Sequence, residues 1–170
     1  MTAAAFAPEP TIGYGHVELV PVHFDDLDPI GMVHNARYAL LIERALARFW
    51  NQRGHTFREG RPVTPDAFNV VKEFSISYRA PIRGIGDVLV HFWLERIGGS
   101  SAVYDFRLLS PDRATVYADG RRVVIKVDPG TLRPSSWTTE ARAVAEGLRR
   151  RPGPARSKHQ STWGGRNGLL

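Results

Sequence analysis

The order of the apolar segments constrains the fold of this chain most strongly, because one helical segment lies among five strand-like ones. Between residues 33 and 52, apolar residues recur at spacings of three and four, which places them in one stripe along an α-helix. The stripe consists of Tyr38, Leu41, Ile42, Ala45 and Phe49. Strand-like patterns occupy residues 16–24, 70–79, 88–97, 101–109 and 114–127. These segments predict an α+β fold in which an antiparallel five-stranded sheet wraps around one long central helix.

Turn-forming residues between the segments refine this prediction. Gly98-Gly99 predicts a hairpin between two neighbouring strands. Asp119-Gly120 interrupts the last segment, where we favour a β-bulge in one long strand over a tight turn between two short strands. Pro21 predicts an edge or bulge position for the first strand. Thr138 is a candidate cap for a short helix that ends near Leu148.

Basic residues are concentrated at the C-terminal end of the chain. The 170 residues include 23 Lys and Arg and 17 Asp and Glu, and residues 149–170 hold six of the basic residues and no acidic one. We therefore predict a flexible N-terminal arm over 1–14, one folded domain over 15–148 and a basic disordered tail over 149–170. The remainder is formally neutral, which argues against nucleic-acid binding. The alternative for the tail is contact with a polyanion.

Several functional classes are disfavoured by what the sequence lacks. There is no cysteine, which excludes disulfides, thiolate metal ligands and a cysteine nucleophile. His16, His55 and His91 have no partner at the spacing of metal ligands, so we expect no metal. No apolar run is long enough for a membrane span, and the first residues do not resemble a signal peptide. We therefore expect a cytoplasmic protein that binds no membrane.

The segment that leads into the helix carries the best candidate for chemistry. Asp28 precedes Pro29, which disfavours a helical backbone at Asp28 and places it before the helix. The free N–H groups of a helix start can bind a negatively charged oxygen. A carboxylate beside them could attack a polarised acyl carbon or activate a water. The alternative is that Asp25, Asp26 and Asp28 only cap and solvate the helix start.

The same segment resembles a family signature of the form Asp-x-Asp-x-x-Gly-x-Val-x-x-x-x-Tyr. Its positions are Asp26, Asp28, Gly31, Val33 and Tyr38. Later matches are Tyr78-x-x-Pro81, Gly86-Asp87 and residues 123–128 ahead of Arg133-Pro134. Over residues 14–148 the chain is similar to the hot-dog-fold acyl-CoA thioesterases of the 4-hydroxybenzoyl-CoA thioesterase-like family. The resemblance implies hydrolysis of an acyl-CoA or acyl-carrier-protein thioester without a cofactor, since CoA is part of the substrate.

The resemblance also implies roles for individual residues. Asp28 falls on the catalytic carboxylate of the family, as nucleophile or general base. Asp26 is a further candidate, to which we assign a supporting role. The backbone N–H that polarises the thioester carbonyl falls on Asn35. His34 could hold a water or the thioester, although a helix-start histidine bonded to the backbone is the favoured alternative. Met32 stands where many relatives have histidine, which leaves the shape of the acyl pocket open.

Substrate contacts are expected from the same segment and from arginines near two turns. The candidate residues are Gly31, Met32, Val33, Tyr38, Arg79, Arg83, Arg121 and Arg122. The arginines could bind the phosphates of CoA, and the alternative is that they are plain surface residues. Glu43 could be a second acid, but we favour a role in helix packing or at an interface.

Two alternative functions remain open besides thioester hydrolysis. A hydratase or dehydratase of acyl thioesters usually has a histidine on the central helix, and no histidine follows His34 there. A non-catalytic acyl-thioester binder remains the other alternative.

One helix cannot cover both faces of a five-stranded sheet whose strands are apolar on both sides, so we expect a homodimer or homotetramer. The family pairs two sheets edge to edge, which implies a two-fold dimer with the active site near the interface.

Overall fold

A single long helix lies against one sheet in the part of the chain that the computed structural model describes, residues 12–150. In chain order the elements are β1 (His16–Val22), α1 (Tyr38–Asn51), β2 (Phe57–Arg58), β3 (Arg61–Pro62), β4 (Asn69–Tyr78), β5 (Gly86–Ile97), β6 (Ser101–Leu109), β7 (Val116–Lys126) and α2 (Thr139–Glu146). Short 3-10 turns lie at Phe24–Asp26, Asn35–Arg37 and Pro65–Ala67. The predicted α+β fold, a five-stranded antiparallel sheet with a long helix, is confirmed.

The five long strands form one antiparallel sheet in the order β1-β5-β6-β7-β4. The hairpin predicted at Gly98-Gly99 joins β5 to β6. β1 lies at one edge, as Pro21 predicted, and β4 lies at the other. The two-residue strands β2 and β3 pair with each other in the connection from α1 to β4.

The core lies between α1 and the sheet. Leu41, Ile42 and Ala45, all from the predicted apolar stripe, are fully buried. Under them Phe74 of β4 stacks on Phe106 of β6, with ring centroids 5.5 Å apart. This packing requires glycine at the facing position of β7, because a Cβ at Gly120 would lie 2.6 Å from the Phe106 ring and 2.1 Å from a β4 carbonyl oxygen.

The start of α1 and the predicted bulge differ from the sequence-based expectation. The α-helix begins at Tyr38 rather than near Val33, because the Val33 and His34 N–H groups donate to Ile82 O and Asp26 O instead of continuing a helix. Within residues 114–127 the chain does form one long strand, β7, over Val116–Lys126. However, pairing is regular through 119–120, so the prediction of a bulge there is wrong. The irregularities lie elsewhere, as between Val71 and Glu73.

Apolar residues do lie on both faces of the central strands, but the expectation that this surface is uncovered within the protomer is wrong. Phe92, Leu94, Tyr104 and Phe106 are buried within the protomer. The opposite face of β6 and β7 carries Val103, Val123 and Ile125 together with ion pairs such as that between Arg121 and Asp105, at 2.7 Å. Trp93 on that face is covered, with Tyr14 at 5.4 Å between ring centroids. The exposed apolar residues of β4 are Val70, Val71 and Tyr78.

Thr138 caps the C-terminal helix, as predicted, and also holds its start to Asp66 through contacts that the sequence did not indicate. Thr138 Oγ1 accepts a hydrogen bond from Ala141 N at 3.2 Å, and the Thr138 N–H and hydroxyl both donate to the buried Asp66 carboxylate. Beyond α2, Arg149 donates to Glu95 O at 3.0 Å, so this first residue of the predicted tail contacts the folded domain. Most of the predicted arm and tail, residues 1–11 and 151–170, lies outside the described residues.

Neither helix described here could cross a bilayer, since both are too short or too polar.

Candidate active site

The segment between β1 and α1 forms a tight loop, residues 27–34, which we name the Asp28 loop. Its backbone closes on itself, with Asp28 N donating to Met32 O at 2.7 Å and Gly31 N to Asp28 O at 3.0 Å. Gly31 adopts φ +77°, a conformation that side chains other than glycine rarely take. The glycine of the signature is therefore needed for the turn that folds the loop back over Asp28.

The Asp28 carboxylate is oriented by this loop. Its Oδ1 accepts hydrogen bonds from the N–H groups of Ile30 and Met32, each at 3.0 Å. Within residues 12–150, its Oδ2 accepts no hydrogen bond, and the residue is half-buried. One carboxylate oxygen therefore fixes the side chain, and the other is left for a substrate or a water.

A neighbouring turn holds the Asp28 loop in place. Val33 N donates to Ile82 O at 2.9 Å, and Gly84 N donates to Gly31 O at 2.9 Å. Met32 and Arg83 form an isolated β-bridge. The turn after β4 thus contacts the Asp28 loop along its length. These contacts explain why the Tyr-x-x-Pro segment occurs together with the Asp-x-Asp motif although the two are far apart in sequence.

The other aspartate of the motif points into the protein. Asp26 is fully buried, and Arg44 of α1 donates to both its carboxylate oxygens, at 2.8 and 3.1 Å. The His23 N–H adds a third hydrogen bond at 2.9 Å. Burial alone would raise the pKa of the Asp26 carboxyl, but the hydrogen bonds from Arg44 and His23 outweigh it and hold the pKa below its usual value.

The 3-10 turn Asn35–Arg37 runs directly into α1 and presents the N-terminal end of this helical segment. His34 caps it, since its Nδ1 accepts a hydrogen bond from Ala36 N at 3.2 Å, as in the favoured alternative for this histidine. The N–H of Asn35 donates no hydrogen bond to any of the described residues. This free N–H is the orphan donor expected at a helix start.

A surface cavity of about 440 Å³ joins these groups. It is lined by Asp28, Met32, Val33, His34, Asn35, Tyr38, Tyr78, Arg79, Ala80 and Pro81. Sequence reasoning did not select Tyr78 as a site residue, yet its hydroxyl donates to Asn35 O at 3.2 Å and its ring packs edge-on against Tyr38. Its position at the end of a predicted strand is the sequence feature that could have identified it as a site residue. The strand pattern alone, however, does not show which element it contacts.

The four predicted arginines separate into two pairs. Arg79 lines the cavity and donates to Asp119 at 2.7 Å, a hydrogen bond that raises the pKa of Arg79. Arg83 is exposed next to the Asp28 loop. Arg121 lies on the polar face of the sheet, and Arg122 is buried beside α1, where it forms an ion pair with Glu43. The structure therefore brings only the first pair to the candidate site.

Residues 12–150 contain no candidate metal site, because no three His, Asp or Glu residues are grouped there as metal ligands would be. The absence of a metal or cofactor stays a prediction.

Comparisons with known proteins point to one family. The model of the thioesterase superfamily matches residues 30–117. The acyl-CoA thioester hydrolase YbgC of Escherichia coli is 28% identical over 116 residues, which is 68% of this chain and 84% of that protein.

Solved structures give the same picture of the fold. The PA5185 protein of Pseudomonas aeruginosa superimposes with a TM-score of 0.72 at 24% identity, over 80% of this chain and 92% of that one. A protein of Xanthomonas campestris, described provisionally as an acyl-CoA thioesterase, is 29% identical with a TM-score of 0.58, over 68% of this chain and 95% of that one.

Proposed function

Because the chain belongs to the thioesterase superfamily, we propose that it hydrolyses acyl-CoA thioesters to a free acid and CoA, and that the Asp28 loop is the active site. The observation that carries this proposal is the juxtaposition of two unsatisfied groups in one cavity. One is the Asp28 carboxylate oxygen that accepts no hydrogen bond within residues 12–150, and the other is the Asn35 N–H, which donates none there. The name of the E. coli relative supports acyl-CoA as the substrate class.

The chemistry follows from where these two groups lie. The thioester carbonyl oxygen accepts a hydrogen bond from Asn35 N–H, at a helix start where partial positive charge stabilises the developing oxyanion. Asp28 then acts in one of two ways. Its free oxygen attacks the carbonyl carbon, expels the CoA thiolate and forms a mixed anhydride that water cleaves, or it takes a proton from a water that attacks directly. In both routes the thiolate leaves and is protonated.

Asp26 is a positioning residue in this scheme. Its carboxylate is buried, paired with Arg44 and directed away from the cavity, so it has no free oxygen for substrate. Its backbone carbonyl accepts from His34 N at 2.9 Å, one residue before the proposed oxyanion donor. Asp26 therefore links α1 to the segment that carries Asn35.

The phosphates of CoA have two candidate partners near the loop. Arg79 and Arg83 flank the turn that brackets it, and both side chains are exposed to an approaching anion. Arg121 and Arg122 are not proposed for this role, because each is paired with a carboxylate away from the Asp28 loop.

The functional unit is proposed to be a homodimer formed through β4. Ten residues of β4 run along a sheet edge that has no strand neighbour among the described residues, and Val70 and Val71 are about half exposed there. An unpaired apolar edge of this length is a natural template for pairing with another chain. The opposite edge, β1, is shorter and contains Pro21, which cannot donate to a neighbouring strand.

A free-thiol assay on a panel of acyl-CoAs, including aromatic and medium-chain acyl groups and one acyl-carrier-protein substrate, tests the activity. We expect stoichiometric release of CoA and free acid from at least one acyl-CoA. Binding of acyl-CoAs without thiol release would overturn the proposal in favour of a non-catalytic binder. Hydration of an enoyl-CoA without thiol release would overturn it in favour of a hydratase.

A further inference from the structure

The backbone N–H groups of residues 33–37 are all engaged except that of Asn35, which has no acceptor among the described residues. Ala36 N donates to His34 Nδ1 at 3.2 Å, and Arg37 N donates to His34 O at 2.8 Å. The N–H groups of Val33 and His34 donate to acceptors outside this segment. Since its neighbours are fixed in this way, the direction of the Asn35 N–H is set by the peptide groups around it.

Two peptide planes meet at the Cα of Asn35 and decide where its N–H points. The first plane carries the Asn35 N–H, and its carbonyl oxygen, His34 O, accepts from Arg37 N. The second plane carries Asn35 O, which accepts from the Tyr78 hydroxyl at 3.2 Å. The N–H of the same plane, Ala36 N, is held by the His34 ring. Because each peptide plane is rigid, these hydrogen bonds leave little freedom for the Asn35 N–H.

Tyr78 provides the hydrogen bond to these two planes that comes from a distant element. It lies at the end of β4, 43 residues along the chain from Asn35, whereas the bonds from Ala36 N and Arg37 N join residues two and three apart. On the other side of Asn35, the preceding peptide is attached to the protein through the bond from His34 N to Asp26 O. The turn is thus attached before Asn35 by a backbone oxygen and after it by the Tyr78 hydroxyl.

The side chain of Tyr78 is itself oriented by packing, although half of the residue is exposed. Its ring meets the Tyr38 ring edge-on, with ring centroids 5.0 Å apart. Tyr38 is buried, and its hydroxyl accepts a hydrogen bond from Ile82 N at 3.4 Å. The Tyr78 hydroxyl therefore projects from a supported ring. Such support matters because donors that are already in place when charge develops need no reorganisation.

We propose that Tyr78 is a positioning residue whose hydroxyl holds the peptide after Asn35 so that the Asn35 N–H points at the thioester carbonyl oxygen. This inference rests on the proposed thioesterase function. Tyr78 acts through Asn35, since its hydroxyl donates to Asn35 O, while Asp28 is oriented by N–H groups of its own loop. Loss of the hydroxyl should therefore weaken stabilisation of the transition state and leave binding of the substrate nearly unchanged.

The kinetic test uses Tyr78→Phe in the full-length protein, which keeps the ring and removes only the donor. We expect kcat and kcat/KM on the best acyl-CoA of the panel to fall together by about tenfold, with KM unchanged. Replacing Tyr78 by 4-aminophenylalanine places an N–H donor at the same position and should restore most of the activity. Tyr14→Phe is the matched control, because it removes a hydroxyl beside Trp93 on the other face of the sheet and should keep wild-type kinetics.

The spectroscopic test measures polarisation of the carbonyl directly. A hydrogen bond to the thioester oxygen lowers the stretching frequency of the carbonyl, so difference Raman spectra report it. Asp28→Asn is saturated with benzoyl-CoA or octanoyl-CoA, each isotopically labelled at the thioester carbonyl, to give a complex with little turnover. We expect the bound band at a lower frequency than in the free acyl-CoA. Adding Tyr78→Phe should move the band back toward the free value, whereas adding Tyr14→Phe should not.

The outcomes separate the role of Tyr78 from the proposed function. A raised KM at unchanged kcat in Tyr78→Phe, no recovery with 4-aminophenylalanine, or a band that Tyr78→Phe does not move would overturn this role while hydrolysis stands. A bound band at the free frequency in Asp28→Asn with both acyl-CoAs would overturn the roles of Asn35 and Tyr78 together. Failure to release thiol from any acyl-CoA would overturn the proposed function, and the band would still decide whether Tyr78 directs the Asn35 N–H.

Discussion

Arg44 donates to both carboxylate oxygens of Asp26, at 2.8 and 3.1 Å, across 18 residues of sequence. This ion pair joins the segment before the Asp28 loop to the middle of α1. It also occupies both carboxylate oxygens of Asp26, which leaves neither for direct chemistry. Two residues later, Asp28 accepts hydrogen bonds, among the described residues, only from N–H groups of its own loop, and these leave one carboxylate oxygen unbonded. The two aspartates of one short motif thus have different environments, and variants of each should fail in different ways.

Asp28→Asn should lower kcat by at least about tenfold, which corresponds to ~1.4 kcal/mol in the activation barrier. The asparagine carbonyl oxygen can still accept from the N–H groups of Ile30 and Met32, so the loop keeps its shape and the melting temperature should not change. Steady-state kinetics on the best acyl-CoA and thermal unfolding measure the two quantities.

Asp25→Asn is the matched control for that variant, since Asp25 is an exposed neighbour that does not line the cavity. It should retain wild-type kcat. If Asp28→Asn keeps more than about a tenth of the wild-type kcat, Asp28 is neither the nucleophile nor the base.

Asp26→Asn should act mainly on stability. The substitution removes the charge that holds Arg44 and leaves a buried amide among donors, so we expect the free energy of unfolding to fall by about 1–3 kcal/mol. Denaturant unfolding of the wild type, Asp26→Asn and Asp25→Asn measures this. If Asp26→Asn kept the stability of the wild type but lost kcat, the roles that we assign to the two aspartates would be reversed.

The same ion pair predicts a pH dependence of stability. The pKa of Asp26 is lower in the folded protein than the ordinary value near 3.9 expected in the unfolded chain. Its contribution is therefore fully present above about pH 4–5 and is lost as the pH falls through the folded pKa. The stability gap between the wild type and Asp26→Asn should be constant from about pH 5 to 8 and should shrink below about pH 4. A gap that widens in acid would contradict this.

The sequence predicted the fold well because the periodicities of the core are local. The stripe on α1 and the alternation in β5 to β7 are each carried by one segment, and each is buried as expected. The start of α1 was misplaced because apolar spacing alone does not show where a helix begins, whereas the N–H groups of Val33 and His34 bond to Ile82 O and Asp26 O. These hydrogen-bond acceptors belong to other segments of the chain, so the local sequence does not indicate them.

The candidate site was predictable only in part for the same reason. The Asp-x-Asp motif, Gly31 and Asn35 lie within one short segment, so they could be identified together. A second cavity, lined in part by Arg122 of β7 and by Trp137 ahead of α2, was not foreseen, because these residues come from distant elements and neither belongs to a motif. Arg122 was taken for a surface residue that could bind phosphate, and only the position of α1 shows that it is buried.

Val71→Asp should weaken the homodimer. Val71 is 50% exposed on the edge strand β4, where a partner strand would bury the new carboxylate against apolar side chains. Leu19→Asp is the control, because Leu19 is 47% exposed on the other edge strand, β1. Light scattering at micromolar concentration should show a dimer for the wild type and Leu19→Asp and a shift to monomer for Val71→Asp. A fully active wild-type monomer would contradict the dimer.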